Sequence, residues 1–452
     1  MNQVLDLPKR KDKPNIIWIL VDQMRHDALS CCGNPNLHTP HLDNLATKGV
    51  RFQNAYSGTP WCAPFRAALL SGRYPHQTGV TRTPSALDPN LPTAATHFNQ
   101  AGYHTAYCGK WHVDGSNQRN HYVAEDRRGD FDWWQGYENN NNNDECYVQG
   151  SDIEGFERLE TYETDALTDR LIDHLSEHTQ DTDAYTPFFA CLSVQPPHPP
   201  FVYPPHTPGG RGIGPTSVKL NPNVPNQSDR MQRARQKLAP YYQAVERIDH
   251  NVGRLSRALR EMNLDRDTWI VFFSDHGEMA ESHGKSGKVL PHEESAHIPF
   301  IIGHVSGSKA ISNGSHWIGK RPLNHVDILP TSLGLCGIDI PETLTGNDYG
   351  RAISDPAFMS EVPNPDAVLL QQFHSLPRQQ NITSPWRAVV TRDRWKYVCL
   401  PRQPFMLFDL NTDPYEQTSL IHDAAFSEIQ QHCHKTLTQM LESVDDAFDL
   451  TA

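Results

Sequence analysis

The sequence has no long hydrophobic run. Its apolar segments, such as Asn15–Val21, are far shorter than the roughly 20 residues that a membrane-spanning helix requires. The residues before that segment, Met1–Pro14, are polar and basic and lack the pattern of a secretory signal peptide. We therefore expect no membrane partner.

Excess positive charge is also absent. The 452 residues include 40 lysines and arginines against 53 acidic residues, which gives a formal net charge of -13. A nucleic-acid-binding protein displays a basic face or stripe, so nucleic acid is not an expected partner. A small anionic substrate is still allowed, because a few cationic side chains or a metal can reverse the potential inside one cleft.

The cysteines do not form the pattern of a disulfide framework. The chain has nine of them, an odd number, at positions 31, 32, 62, 108, 146, 191, 336, 399 and 433. This usage predicts mostly reduced thiols and a cytoplasmic location. The location would be periplasmic if a native leader had been removed.

Four apolar runs of strand length each end abruptly in polar residues, a pattern that predicts a parallel sheet. The runs, with the polar residues that follow them, are Asn15–Val21 with Asp22 and Gln23, Tyr103–Cys108 with Lys110 and His112, Pro187–Val194 with His198, and Thr268–Ser274 with Asp275 and His276. In open α/β sheets, ligands bind beyond the carboxyl ends of the strands. We therefore expect the four endings to meet in one crevice.

Apolar residues at helical spacing predict helices between these strands, and short strands follow near the C-terminus. The expected helices span residues 240–262, 165–175 and 424–441, and the expected strands span residues 386–390, 395–400 and 406–409. The pattern indicates a large α/β domain of residues 1–360 and a small domain of residues 361–452, an antiparallel sheet with a helix. The Gly- and Pro-containing stretch between Gly346 and Asp366 contains the expected boundary.

The segment that begins at Cys62 predicts a helix with a reactive residue at its start. Pro64 suits the first turn and Gly72 suits the end. Free N–H groups at a helix amino end favour negative charge, which suits a nucleophile at Cys62. By itself, such a cysteine is more often a small buried apolar residue.

Cys62-Ala-Pro64-Phe65-Arg66 resembles the Cys-x-Pro-x-Arg motif of the type I sulfatases, members of the alkaline phosphatase superfamily. The similarity extends through Gly102–His112, Asp275–Gly277, Gly287-Lys288, Glu293–Ser295 and Asp413–Glu416, nearly the whole chain. Phe65 departs from the small residue that is usual there, and His292 replaces a usual tyrosine. Neither departure removes a catalytic group.

The resemblance implies an alkaline phosphatase-like fold, with a large mixed, mostly parallel sheet sandwiched by helices. It also implies hydrolysis of a carbohydrate or small organic sulfate ester, after a maturation enzyme has oxidised Cys62 to formylglycine. A hydrated aldehyde has two hydroxyls on one carbon. One can attack sulfur, and the other can expel sulfate afterwards.

The resemblance further implies one divalent metal and a set of catalytic side chains. The expected metal ligands are Asp22, Gln23, Cys62, Asp275 and His276. Oxygen-rich ligands favour Ca²⁺, with Mn²⁺ and Mg²⁺ as competitors. Lys110 and Lys288 match sulfate-binding lysines, Arg66 orients the formylglycine, His112 is the base for its regeneration, and His198 is the proton donor to the leaving alcohol.

Other interpretations are left open by the sequence. The same site could hydrolyse phosphonate monoesters or phosphodiesters, or bind sulfate without turnover if Cys62 is never oxidised. His283 is a weaker candidate for the same cleft, and the Trp133-Trp134 pair looks exposed and more structural than functional. The expected partners are a sulfate ester and the formylglycine-generating enzyme, and a homo-oligomer is left open.

Overall fold

The computed structural model describes residues 13–142, 145–179, 186–307, 318–375, 382 and 384–450. Most of the polar, basic start of the chain therefore lies outside the described residues. In the described part, no helix has both the length and the apolar character needed to cross a membrane.

The described strands form three sheets. They are β1 (Asn15–Asp22), β2 (Gly49–Arg51), β3 (Asn54–Tyr56), β4 (His104–Lys110), β5 (Trp133–Tyr137), β6 (Tyr147–Gly150), β7 (Ile153–Arg158), β8 (Phe188–Pro197), β9 (Thr268–Ser274), β10 (Phe300–His304), β11 (Pro322–Asn324), β12 (Ala367–Gln372), β13 (Trp386–Thr391), β14 (Trp395–Leu400) and β15 (Gln403–Asp409).

The largest sheet has nine strands in the order β2, β10, β9, β1, β8, β4, β5, β6, β7. Strands β9, β1, β8, β4 and β5 pair in parallel. Antiparallel strands complete both edges, β10 and β2 beside β9, and β6 and β7 beside β5. The prediction of a large mixed, mostly parallel sheet is confirmed.

Helices cover both faces of this sheet, which explains why its central strands are continuously apolar. The described helices are α1 (Pro40–Thr47), α2 (Cys62–Ser71), α3 (Pro75–Thr78), α4 (Ala94–Gln100), α5 (Glu163–His178), α6 (Ser228–Glu261), α7 (Glu293–Ala296), α8 (Ile328–Leu335), α9 (Gly350–Ser354) and α10 (Ser427–Ser443). Ile16 and Trp18 of β1 pack in the layer that contains α2, α4 and α8. Ile17 and Ile19 pack in the opposite layer, with α1, α5 and α6.

Helix α6 is longer than the sequence analysis predicted. The expected start near Pro240 is wrong, because the helix begins at Ser228 and passes through the proline. Proline inside a helix removes one backbone hydrogen bond. Ala234 and Leu238 are nevertheless buried before it, and Tyr241 is buried after it, so packing on both sides keeps the helix continuous.

Trp133 and Trp134 are not exposed, contrary to the expectation. Both lie on β5, and their exposed fractions are 7% and 1%. The Trp133 ring stacks on His174 with a centroid distance of 4.1 Å. Trp134 packs edge-on against Trp111 in the core. Neither indole is available to a sugar.

The C-terminal part forms a separate antiparallel sheet of β12, β13, β14 and β15, with α10 packed on it. This confirms the predicted small sheet with a helix. Lys396 of β14 reaches towards the large sheet, and its Nζ lies 2.6 Å from Glu293 and 2.8 Å from Glu416. The domain division at residue 360 stays a prediction.

Candidate active site

The polar residues that follow the parallel strands converge at one edge of the large sheet. Val21 of β1 is in register with Ser274 of β9, so the next residues, Asp22 and Asp275, lie side by side. The backbone N–H of Gln23 donates to Asp275 Oδ1 at 3.0 Å. Strand order, not closeness in sequence, creates this pair of carboxylates.

Cys62 is the first residue of α2, and its side chain faces the two carboxylates. Trp61 before it is extended, and Gly72 ends the helix in a left-handed conformation with φ of 64°. The Sγ atom lies 3.2 Å from His276 Nε2 and 3.8 Å from Asp22 Oδ1. The predicted nucleophile therefore stands at a helix amino end beside the predicted metal ligands.

The charges around Cys62 favour its anionic form. Burial and the Asp22 carboxylate would raise the pKa of the thiol, but Lys288, His276 and Lys110 together lower it below its usual value. The closest of these cations is Lys288, whose Nζ lies 2.9 Å from Sγ. The site thus stabilises negative charge at this position, which is what a nucleophilic oxygen there would require.

The residues present fit a divalent cation. Asp22, Cys62, Asp275 and His276 are all buried, and each offers one ligand atom within 4.8 Å of the others. Asp275 Oδ2 has no hydrogen-bond partner among the described residues. Two buried carboxylates with an imidazole are a donor set for Ca²⁺ or Mn²⁺.

Hydrogen bonds fix the side chains of His276 and Gln23, two of the predicted metal ligands. His276 Nδ1 lies 3.0 Å from the Gly277 carbonyl oxygen, which can only accept, so Nδ1 carries a proton and Nε2 faces the site. Gln23 Oε1 lies 2.9 Å from Lys288 Nζ, while its amide nitrogen donates to Glu278. Asp275 raises the pKa of His276 against the effect of burial. A cation must therefore compete with a proton for Nε2.

Lys110 and Arg66 complete the cationic side of the site. Lys110 Nζ lies 2.6 Å from Asp22 Oδ2. The Arg66 guanidinium lies 3.5 Å from both Asp22 and Asp275, and it donates to the Lys110 carbonyl and the Ser193 hydroxyl at 2.8 Å. These contacts hold the Asp22 pKa well below its ordinary value although burial opposes them.

His112 and His198 lie near the same charged side chains of the site. Burial, Lys110 and Arg66 hold the pKa of His112 well below its ordinary value. Neither of its ring nitrogens has a hydrogen-bond partner among the described residues. Burial and Lys288 likewise lower the pKa of His198. Both rings are therefore held neutral at pH 7, so His112 can accept a proton as it stands, whereas His198 must first take up a proton before it can donate one.

His283 does not join this site. Its Nε2 lies 3.1 Å from the Asn223 amide, and its ring packs against His292. Its ligand atom belongs to a separate group with Glu294 and Glu416, so the expected contact with the residues around Cys62 is not seen. The loop after β9 contains left-handed residues at Ala280, Glu281 and His283.

Three further residues support the site without having been predicted. Ser193 bridges Arg66 and the Lys110 carbonyl, and Glu278 accepts from Gln23 and from the N–H of Gly287, next to Lys288. The third residue is Glu163, a neighbour of Lys110 and Asp22, and burial raises the pKa of its carboxyl group to about 7. The only sequence signal for Ser193 and Glu278 is that each lies at or just beyond the end of a central strand.

Comparison with known families gives two matches. The sulfatase family profile matches residues 14–338. The profile of the N-sulphoglucosamine sulphohydrolase C-terminal region matches residues 281–443. A relative named ulvan-active sulfatase, from Formosa agariphila, is 33% identical over 440 residues, which span 96% of this chain and 82% of that protein.

Solved structures have the same fold. One, determined in complex with its substrate D-glucosamine-2-N,6-O-disulfate, matches with a TM-score of 0.78 and 21% identity, over 96% of this chain and 99% of the other. The phosphonate monoester hydrolase of Agrobacterium radiobacter matches with a TM-score of 0.72 and 21% identity, over 96% of each chain.

Proposed function

Because this chain belongs to the sulfatase family, a family of sulfuric ester hydrolases, we propose that it cleaves a carbohydrate or small organic sulfate ester with oxidised Cys62 as its nucleophile. The observation that carries the proposal is that Cys62, at a helix amino end, lies beside Lys288 and beside buried side chains that could hold a metal ion. The name of the ulvan-active relative supports a carbohydrate substrate.

The proposed reaction has two covalent steps. Hydration of the Cys62-derived aldehyde gives two hydroxyls on one carbon. One hydroxyl attacks sulfur and loses its proton, the S–O bond to the alcohol breaks, and the alcohol leaves with a proton. The second hydroxyl then loses its proton, the aldehyde C=O forms again, and the bond from that carbon to the sulfate oxygen breaks, which releases sulfate.

The side chains around Cys62 have separate tasks in this proposal. When bound, a divalent cation lowers the pKa of the attacking hydroxyl and neutralises a sulfate oxygen. We keep Ca²⁺ as the first candidate, with Mn²⁺ and Mg²⁺ as alternatives. Lys110 and Lys288 offset charge on the transferred group, and Arg66 orients the nucleophile. His112, neutral and without a hydrogen-bond partner in the described chain, accepts the proton of the second hydroxyl.

His198 is the proposed proton donor to the leaving alcohol. Its Nδ1 lies 2.7 Å from the Pro199 carbonyl oxygen, which can only accept, so Nε2 is the nitrogen that exchanges a proton. Burial and Lys288 hold its pKa well below the ordinary value for histidine, so the fraction that carries a proton on Nε2 falls as pH rises through the acid range and is small at pH 7. We therefore expect kcat/KM for alkyl or sugar sulfates to fall with rising pH.

Substitution of His198 by alanine is expected to slow alkyl or sugar sulfates about 10²- to 10⁴-fold, and 4-nitrophenyl sulfate much less. The nitrophenolate leaves without needing a proton. Steady-state rates on both substrates would measure the difference. His112→Ala is the matched control, because it should slow both substrates alike. Equal losses for the two substrates in His198→Ala would refute the donor role.

The proposed activity is tested with matched panels of sulfate, phosphate and phosphonate esters, using protein whose Cys62 oxidation has been verified by peptide mass. We expect inorganic sulfate to be released with a higher kcat/KM than phosphate or phosphonate. Preferred cleavage of phosphorus esters would instead identify a phosphonate monoester or phosphodiester hydrolase with the same site. If fully oxidised protein turned over none of the panel, the catalytic proposal would be wrong.

A further inference from the structure

A second group of polar side chains, of which two are buried and one is half-buried, includes a residue of the loop that carries Lys288. His283, Glu294 and Glu416 each offer one ligand atom, and these atoms lie within 4.8 Å of one another. They come from three segments: the loop after β9, helix α7 and the turn after β15. None of the three belongs to the group around Cys62.

One buried carboxylate oxygen in this group accepts no hydrogen bond from the described residues. Glu294 is 2% exposed, and its Oε2 has no hydrogen-bond partner among the described residues. This oxygen faces His283 Nε2 at 4.0 Å, while Oε1 accepts from the Asn223 amide at 2.5 Å. A buried charged oxygen without a donor costs several kcal/mol in general, so a cation at this point would be stabilising.

The balance of charged side chains around Glu294 also favours a cation. Four carboxylates, on Asp27, Glu293, Glu294 and Glu416, contact two cationic side chains, on Arg25 and Lys396. In their ionised forms they leave an excess of negative charge, which a proton on Glu416, whose pKa burial raises to about 7, or on His297, 2.8 Å from Glu293, would reduce. Lys285 and Asp413 lie further out beside His283 and add one charge of each sign. A divalent cation would offset this excess without a proton on either group.

We propose that His283, Glu294 and Glu416 bind a second divalent cation, separate from the active-site metal. One imidazole nitrogen and two carboxylate oxygens favour a cation such as Mn²⁺ or Zn²⁺ over Mg²⁺, which prefers oxygen ligands throughout. The ligand atoms lie within 4.8 Å of one another. Because metal–ligand bonds are about 2.0–2.4 Å long, atoms at such separations can all bind one ion.

The proposed cation has a structural role. It joins the loop between β9 and α7 to the segment that ends at Glu416, in the C-terminal part. That loop contains left-handed residues at Ala280, Glu281 and His283, with φ of 44°, 73° and 53°. Such conformations cost about 1–3 kcal/mol each and require support from their surroundings. The same loop contains Lys288, so the cation would also help to hold that lysine beside Cys62.

The test is to count Mn²⁺ sites by titration, with free Mn²⁺ measured by electron paramagnetic resonance. We expect two equivalents bound by the wild-type protein, one by Asp275→Asn, which keeps only the second site, and one by Glu294→Gln, which keeps only the active site. Asp413→Asn is the matched control and should keep two. The double variant Asp275→Asn/Glu294→Gln should bind none.

The outcomes separate this proposal from the active-site one. Undiminished Mn²⁺ binding in Glu294→Gln would overturn the second site. A wild-type protein with one equivalent, lost in Glu294→Gln but kept in Asp275→Asn, would support the second site and contradict metal binding near Cys62. His283→Gln, checked by circular dichroism, repeats the test if Glu294→Gln does not fold.

Discussion

Substitution of Cys62 by alanine is expected to lower kcat/KM for a sulfate ester by about 10⁴-fold or more. The variant has no group that can be oxidised to the aldehyde, so neither the covalent step nor the release of sulfate can occur. Lys110, Lys288 and the other charged groups stay in place, but they can only stabilise a water attack. Sulfate release under single-turnover conditions, with the Cys62 peptide mass recorded for the wild type, measures the loss.

The fold should survive this change. Cys62 is a small residue at a helix start, and alanine fits there without new bulk. Cys336→Ala is the matched control, because Cys336 is also buried but packs in the core beside the Pro14 carbonyl. It should retain wild-type kcat. A purified Cys62→Ala protein with wild-type turnover would refute the nucleophile.

Substitution of Asp275 by asparagine is expected to remove the active-site metal and to lower kcat by about 10³-fold or more, since the metal stabilises several kcal/mol of developing charge. The asparagine side chain keeps the shape of aspartate but lacks the negative charge that binds the metal and pairs with Arg66. His276 Nε2, 3.5 Å from Asp275 Oδ1, also loses an ionic neighbour. Bound metal per chain and kcat measure the two effects separately.

Asp265→Asn provides the control for this prediction. Asp265 starts the 3-10 turn before β9 and lies at the opposite end of that strand from Asp275. The same loss of one carboxylate there should leave both bound metal and kcat unchanged. If Asp275→Asn kept full metal content and turnover, Asp275 would not be a ligand.

The strands were predicted well because their signal is local. The β1 and β9 runs are continuously apolar and β-branched or aromatic, and their observed bounds agree with the expected ones almost residue for residue. The start of α6 was missed because a proline is a strong local signal for a helix beginning. That signal was overridden by packing of Leu238 and its neighbours, which involves residues distant in sequence.

The site was predicted residue by residue, but its contacts were not. The Cys62 motif and the strand-end residues identified Asp22, Asp275 and Lys288 as candidates, and the structure brings their side chains together. His283 was expected near Cys62 because its closeness to Asp275 in sequence was taken as closeness in space, but it lies with Glu294 and Glu416 instead. A few left-handed residues are enough to turn the chain between Asp275 and His283.

The sequence by itself determined which residue types occur at which points: apolar runs that bury both faces of a sheet, polar residues at their ends, and a cysteine before a helix. Composition and periodicity are properties of short segments, so they can be recognised without the fold. Only the tertiary structure decided that β1 lies between β9 and β8, which sets Asp22 beside Asp275. It also decided that ligand atoms of Glu294, Glu416 and His283 lie within 4.8 Å of one another. Charge balance and metal binding depend on distances of a few ångströms between segments far apart in the chain, and those distances exist only after packing.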